Sequence, residues 1–524
     1  MAKVPKVPKM LKEKESTVPR PEHPIINFNP VFPILPRYQD KSKINIRYML
    51  IEPYVSCHIY WNSELGEVVY EIEEPLLNDS EKKVLEDLRT GMTEMINFSS
   101  VEKSRDAILS YLDKIAKIIL SELGHKLTKE SYERIYYYLY RDFVGLNEIE
   151  PLMKDVFIED VECNGLNSGI YVVHRIYRNL RTNIIFNNME NLASFVEKLS
   201  QRCGRYVSYA SPLLDGTLED GSRVNATYTT DISSKGPTFT IRKFTKIPIT
   251  PTQLLALRTL SPEMLAYFWL LLQYKCNVLI VGSTGAGKTT LLNALAFFIQ
   301  PEARIVSIED TRELNLIHEN WLPSVARTGI SGVGEVDLFD LLKESFRQNP
   351  DYVIVGEVRG KEAYVLFQGM ASGHPSLSTV HADSVETVVT RLQTPPISLS
   401  PTLINTLDAV AVMTHAKVNN QDTRKLREVL EIIEISPDGA AETNKAFRWD
   451  PAKDVFYFKK TSKVFEKISQ RYGISEEELE KELEIRAKLI SNLFRKKILS
   501  FEKVQKIIND YYKNPQKVLD TYLK

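Results

Sequence analysis

Residues 277–295 read NVLIVGSTGAGKTTLLNAL. An apolar run stops at Gly282, a glycine-rich loop follows, and a helical pattern begins at Lys288. Gly282, Gly287, Lys288 and Thr289 form G-x-x-x-x-G-K-T in the strand–loop–helix setting that this motif requires. Triphosphate chemistry explains the residue types. Glycines let backbone N–H groups close around phosphates, Lys288 neutralises β/γ charge, and the Thr289 hydroxyl is available to Mg²⁺. The expected ATP-binding residues are therefore Gly282, Ser283, Thr284, Gly285, Ala286, Gly287, Lys288, Thr289 and Thr290.

Outward from this loop, about 251–450, strand and helix signals alternate. NVLIVG, RIVSIED, YVIVGE, SLSTVHA, AVAVMTH and VLEIIEI are short, β-branched and nearly continuously apolar. Such runs suit a parallel sheet buried on both faces by helices, an α/β fold. In a doubly wound sheet the carboxyl ends of strands gather around the ligand. RIVSIED ends at Glu309 and Asp310, with Glu313 close behind, and YVIVGE ends at Glu357. Acids placed there can hold magnesium through water and orient the attacking water. A single acid at a strand end is more often a helix cap or a surface group; two acid-tipped strands after a phosphate loop favour function. Asp351 opens its strand at the wrong end, so Glu357 is the better metal and water ligand, with Thr289 as the other magnesium contact.

SGHPSLSTVHADS carries His374 and His381 around a small-residue strand. Zinc ligation lacks a third His or Cys nearby. Imidazoles that sense the γ-phosphate or orient water fit the context, and a buried structural histidine is the plain alternative. The glycine-rich TGISGVGEV (328–336) lacks a strand-before, helix-after setting and reads as a mobile loop.

Upstream, INIRYMLI, VSCHIYW and VVYEIEE read as strands before a helix with Leu85, Leu88, Met92 and Met95 on one face. Tyrosines 132, 136, 137, 138 and 140 could stack on bases, but at helical spacing they read as core and domain contact. IYVVHRIY, a helix near 191–203, and paired strands around SRVNATYT and PTFTIRKF follow, then a proline-bearing linker. After Trp449 the pattern turns helical: Ser475 with Glu478 forms a capping box ahead of Leu479, Leu483, Ile490 and Phe494, and Ser500 precedes Val504, Ile507, Ile508 and Tyr511.

Length and composition bound these readings. The chain has 524 residues, 43% hydrophobic and 26% charged, which suits a soluble globular protein of two to four domains. Lys plus Arg number 67 against 68 acids, so no overall basic excess points to nucleic acid. The balance conceals a net +4 in residues 1–20 and a net +6 in residues 459–524. The first stretch, rich in proline, reads as a disordered arm: a solubilising tail, or a tether to anionic lipid. Cys57, Cys163, Cys203 and Cys276 form no CxxC pair, which fits a reducing cytosol and argues against structural zinc. No apolar run approaches a membrane span, and the N-terminus lacks a secretory h-region.

Four blocks, in order, resemble those of the type II/type IV secretion and pilus-assembly ATPases: GSTGAGKT as Walker A, SIEDTRE as the Asp box, RQNPDYVIVGEVRG as an atypical Walker B, and SGHPSLSTVHA as the His box. The archaeal secretion and pilus ATPases look most similar. Resemblance spans roughly Glu148 to Pro437, and more loosely the chain from about residue 46. Gly360 departs from many bacterial members, which carry Asp there, and their tetracysteine zinc module is missing. The resemblance implies a RecA-like P-loop motor with preceding mixed α/β N-terminal domains and a helical C-terminal tail. The expected parts are an arm (1–43), an N-terminal α/β domain (44–145), a second, PAS-like α/β domain (146–246), a linker (247–252), the motor (253–450) and the tail (451–524).

It further implies a homohexameric ring with Arg223, in DGSRVNA, and Arg242, in TIRKF, reaching the phosphates; Arg347 and Arg359 could serve the subunit interface. The expected catalytic set is Glu357, Glu313, Glu309, His381, His374, Arg223 and Arg242. Expected cofactors are ATP and Mg²⁺, without zinc. Expected partners are self, a polytopic membrane platform protein and pilin-like subunits, with peripheral association at the inner face of the cell membrane and no specific nucleic acid. The work would be assembly of a type IV pilus-like filament or type II-like secretion. Alternatives are a RecA-like nucleic-acid translocase, an archaellum assembly or rotation motor, and a nucleotide-gated scaffold that does not turn ATP over.

Overall fold

The computed structural model describes residues 24, 33, 35, 36, 38, 40–95, 104–244, 248–327, 334–418, 421–459 and 461–523. The basic arm over residues 1–20 and most of the expected loop 328–336 lie outside the described residues. The chain divides into two compact units: residues 1–214 with 224–243, and residues 215–223 with 244–524.

Among the described residues before position 248 there are nine strands: β1 (Asn45–Ile51), β2 (Val55–Asn62), β3 (Glu67–Glu73), β4 (Ile158–Cys163), β5 (Gly169–His174), β6 (Arg178–Ile185), β7 (Leu213–Thr217), β8 (Arg223–Thr227) and β9 (Thr238–Arg242). They form one sheet in the order β1-β2-β3-β6-β5-β4-β9-β8-β7. Strands from 44–145 and from 146–246 thus share a sheet, joined where β3 runs parallel to β6 with Val69 opposite Arg181. Buried Asp155 strengthens this joint by accepting hydrogen bonds from the Tyr48 and Tyr70 hydroxyls at 2.6 and 2.7 Å. Tyr136, Tyr137 and Tyr140 are buried in the core, while Tyr132 and Tyr138 are half-buried. Met95 departs from its expected face: it is the last residue of the helix Asp79–Met95 and stands exposed.

The second sheet comprises β10 (Val278–Val281), β11 (Ile305–Glu309), β12 (Trp321–Val325), β13 (Tyr352–Val358), β14 (Ser376–Val380), β15 (Ala409–Val418), β16 (Gln421–Ile435), β17 (Ala441–Asp450) and β18 (Val455–Phe458). Its order is β12-β11-β13-β14-β10-β15-β16-β17-β18. The first six are parallel, and every residue of β10, β11 and β14 is buried, as strands covered on both faces must be. VLEIIEI corrects the parallel expectation. It forms the end of β16, antiparallel to β15, because the connection between Val418 and Gln421 is far too short for a crossover. β17 and β18 continue antiparallel, so the chain after Trp449 makes one more strand before it turns helical. β12, with Pro323 inside it, occupies the edge, where a missing N–H costs no ladder bond.

The tail helices belong to the core of this unit. Leu479, Leu483, Leu489, Ile490 and Leu493 of the helix Glu476–Arg495 share one buried cluster with Met264–Leu272 of the helix Pro262–Gln273. Each such leucine contributes roughly 1.5–3 kcal/mol by burial. The Ser475–Glu478 capping box forms as expected, while Phe494 remains partly exposed near the helix end. Arg486, itself buried, stacks over Trp269 at 4.8 Å and fastens the two helices. Among the described residues no helix is long and apolar enough to cross a membrane.

Candidate nucleotide site

The site grows from the carboxyl edge of the parallel strands. β10 delivers Gly282 against β15, where a Cβ would lie 2.7 Å from the Met413 carbonyl oxygen; backbone meets backbone there and only glycine fits. Gly287 caps the helix Lys288–Ala296 with φ +92°, a left-handed conformation that turns the chain sharply into the helix. Ser283, Thr284 and Gly285 stand exposed, Ala286 is buried, and Thr289 and Thr290 are half-buried on the first helical turn. Backbone N–H groups of that turn lack intrahelical partners and form an anion-binding end.

The Lys288 ammonium donates to the Ser283 carbonyl at 3.3 Å and so lies folded over its own loop. Burial lowers its pKa, while Glu357 and Glu313 pull it back upward. Both acids therefore lie close enough to Lys288 to act on it. Glu357 accepts from Arg359 at 2.6 Å, and the same guanidinium stands 3.6 Å from Asp310. Glu357 foremost raises the Arg359 pKa, and burial opposes it. Lys288, Glu313, Glu357, Arg359 and Asp310 thus gather at one edge. Asp351 stands at the other end of its strand, occupied by Lys275 at 3.2 Å and the Arg304 N–H at 3.0 Å.

Glu309 behaves differently from its neighbours. It is 2% exposed, and its Oε1 accepts the backbone N–H of Glu313 and Leu314, each at 2.9 Å. Its Oε2 is buried without a hydrogen-bond partner among the described residues. Burial pushes this carboxyl up to about 7, with the Glu313 carboxylate adding to the rise and the two N–H groups and Arg312 opposing it.

The histidines separate. His381 directly follows β14, whose Val380 pairs with Val281 of β10, so it shares the edge with Gly282. Its ring is exposed, and its carbonyl accepts from Arg391 at 2.8 Å. His374 precedes the same strand, roughly 20 Å away along an extended chain. There its ring packs on Phe346 at 5.0 Å, with Nδ1 buried and unpartnered among the described residues. The expected arginines are each held by an acid: Arg223 by Asp215 at 3.0 Å, and Arg242 by Asp160 at 3.1 Å across the β4–β9 pair. Arg347 pairs along its own helix with Glu344 at 3.5 Å.

Three residues outside the sequence reading support the site. Asn293, on the phosphate-loop helix, accepts the Asn315 N–H at 3.0 Å and donates to the Glu313 carbonyl at 3.2 Å. Thr379 donates to the Gly356 carbonyl at 2.7 Å. Glu362 accepts the N–H groups of Arg359 and Gly360 at 2.6 and 2.7 Å, fixing the turn after Glu357. An Asn inside a helix and a Thr inside a strand carry no local signal. The position of Glu362 in the first turn of the helix Glu362–Ala371 was the only available hint.

The residues fit a nucleoside triphosphate and its magnesium. The loop offers a helix N-terminus, glycines where a side chain would intrude, and a half-buried ammonium beside acids able to hold water on a metal. Among the described residues no group of three or more His, Cys, Asp or Glu is placed to hold a metal by itself. Thr289 and Glu357 would therefore share the ion with phosphate oxygens and water.

A family model described as type II/IV secretion system protein matches residues 149–453. An uncharacterized protein of Methanocaldococcus jannaschii is 37% identical over 500 residues, covering 89% of this chain and 89% of that protein. The VirB11 protein of Agrobacterium fabrum is 39% identical over 108 residues, 20% of this chain and 31% of that protein. Among solved structures, the Legionella pneumophila ATPase DotB is 17% identical, covering 68% of this chain and 92% of its own, with a TM-score of 0.38.

Proposed function

The chain belongs to the type II/IV secretion system protein family, and from that premise we propose that it is a homohexameric, magnesium-dependent motor driving assembly of a type IV pilus-like filament or type II-like secretion. Its reaction is ATP hydrolysis. The observation that carries the reading is the phosphate loop after β10 and Glu357 near the end of β13 at one carboxyl edge of the parallel strands, with Glu357 and Glu313 both raising the pKa of Lys288.

Lys288 and the first-turn N–H groups bind the phosphates and hold the γ-phosphoryl in line. Magnesium, when bound, neutralises charge on the β- and γ-oxygens. Thr289 offers its hydroxyl to the ion. Glu357, released from Arg359, orients the attacking water, and Glu313 supports it from the neighbouring turn. His381, which follows β14, is proposed to align the γ-phosphate; His374 belongs to the far end of β14 and is proposed only as a packing residue. Arg223 and Arg242 are proposed to leave Asp215 and Asp160 and stabilise phosphoryl charge when the ring assembles. The six-part domain division remains part of this proposal. The partners proposed are further copies of the chain, a polytopic membrane protein and pilin-like subunits at the inner face of the membrane.

Turnover by the purified full chain tests this reading. Lys288→Ala should lower magnesium-dependent hydrolysis by about 100-fold or more. Glu357→Gln should retain ATP and fail to turn it over. Full activity in either variant would move the chemistry elsewhere. Stimulation by DNA that falls steeply with salt would instead favour a nucleic-acid translocase. Light scattering with ATP checks the hexamer, and a persistent monomer would sink it.

A further inference from the structure

Glu309 looks in sequence like a second catalytic acid, yet its surroundings leave no oxygen for substrate. One carboxylate oxygen receives two backbone N–H groups at 2.9 Å, and the other is enclosed without a partner among the described residues. Those N–H groups belong to Glu313 and Leu314, so the carboxylate fixes the turn that carries Glu313. Asn293 grips the same turn from the phosphate-loop helix, through the Glu313 carbonyl and the Asn315 N–H.

The other side of Glu309 faces β13, the strand that carries Glu357. A Cβ built on Gly356 would stand 3.1 Å from the Glu309 Cγ and 3.5 Å from its Oε1. Gly356 does not need a left-handed backbone; its lack of a side chain is what lets the glutamate lie flat between strand and turn. The Gly356 carbonyl is held in turn by Thr379 at 2.7 Å. One buried side chain therefore touches both the turn bearing Glu313 and the residue preceding Glu357.

We propose that Glu309 is a positioning residue that sets the spacing between Glu313 and Glu357, and that Gly356 is the gap that admits it. The inference rests on the ATPase reading above, since spacing matters only if those two acids work together. Small displacements of reacting groups are costly: about 1 Å of misplacement can lower a rate by about 100-fold. Glutamine preserves the oxygen that accepts both N–H groups, and alanine removes it.

Full-length Glu309→Gln and Glu309→Ala, assayed for turnover and for amide hydrogen exchange across residues 310–315, separate the roles. Glu309→Gln should keep kcat within about threefold of the natural protein and leave exchange unchanged; Glu309→Ala should lower kcat by about tenfold or more, with KM for ATP moving less than about threefold, and speed exchange at Glu313 and Leu314. Gly356→Ala pushes the carboxylate from the opposite side and should lower kcat similarly, which keeps the idea testable should Glu309→Ala fold poorly. Equal inactivity of the Gln and Ala variants would assign Glu309 a chemical role and overturn the proposal. Unchanged kcat and exchange in Glu309→Ala, or a loss confined to KM, would overturn it too. Lys288→Ala separates this inference from its premise. If that variant hydrolyses ATP like the natural protein, the ATPase assignment of this site falls, whereas the exchange data still report whether Glu309 holds the turn.

Discussion

β11 and β13 are neighbours, run parallel, and each carries a glutamate at its carboxyl end after an apolar run, Glu309 as the last residue of β11 and Glu357 as the last but one of β13. Their acids have opposite fates. Glu357 keeps 27% of its side-chain surface, holds Arg359 and raises the pKa of Lys288. Glu309 is sealed inside and holds backbone N–H groups. The chain after β11 folds back over Glu309 as a turn, and the chain after β13 leaves Glu357 at the edge. The exit path of the chain, not the acid, decides which of the two is enclosed.

The widest test of this difference is to neutralise each acid. Glu357→Gln should lose about 100-fold or more in turnover with ATP still bound, while Glu309→Gln loses no more than about threefold. Equal losses would erase the distinction. Gly356→Ala comes next: beyond its effect on rate, crowding the enclosed carboxylate should cost about 1–3 kcal/mol in chemical denaturation. A variant as stable and active as the natural protein would show that the gap has no function.

Acidity sharpens the contrast further. Glu309 titrates at about 7 in the fold against an ordinary 4.5. A raised carboxyl stabilises the fold at low pH and loses that contribution as pH rises through its folded value. Glu313 and Arg312 on the turn act on it in opposite directions, and no charged group replaces the missing partner of Oε2 among the described residues. Relative to the natural protein, Glu309→Gln should therefore gain on the order of 2 kcal/mol between about pH 5 and about pH 8. A gap independent of pH would mean that the carboxyl titrates normally. The smallest effect belongs to Arg359→Gln. Its pair with Glu357 is exposed, so unfolding free energy should change by less than about 1 kcal/mol. The measurable consequence is kinetic, a shift in kcat without comparable change in KM, because Glu357 loses its resting partner.

Much of this was legible in the chain. NVLIVGSTGAGKTT announced strand, loop and helix, since an apolar run, glycines and a lysine at fixed spacing admit few other arrangements. The parallel strands β11, β13, β14 and β15 were legible because burial on both faces demands continuous apolar sequence. β17, with AETNKAFRWD, was not, because one face meets solvent and its polar residues hide the pattern. The tail read as helices, yet its membership of the core did not, as Leu479 and Leu483 cannot name the surface they bury against. At the site, the acids were legible as a set but not as individuals. His374 and His381 share a motif and stand at opposite ends of a strand.

The sequence alone determined the phosphate loop, the parallel half of the sheet and the list of acids and histidines near it, because these follow from local sterics, periodicity and strand ends. Tertiary structure alone decided the rest. It paired β16 antiparallel to β15, placed the basic tail in the core, and brought Asn293 and Thr379 to the site. It also enclosed Glu309 against backbone N–H groups and left Glu357 partly exposed. Direction of pairing, burial and desolvation depend on what the rest of the chain puts beside a residue, and no short stretch of sequence contains its own neighbours.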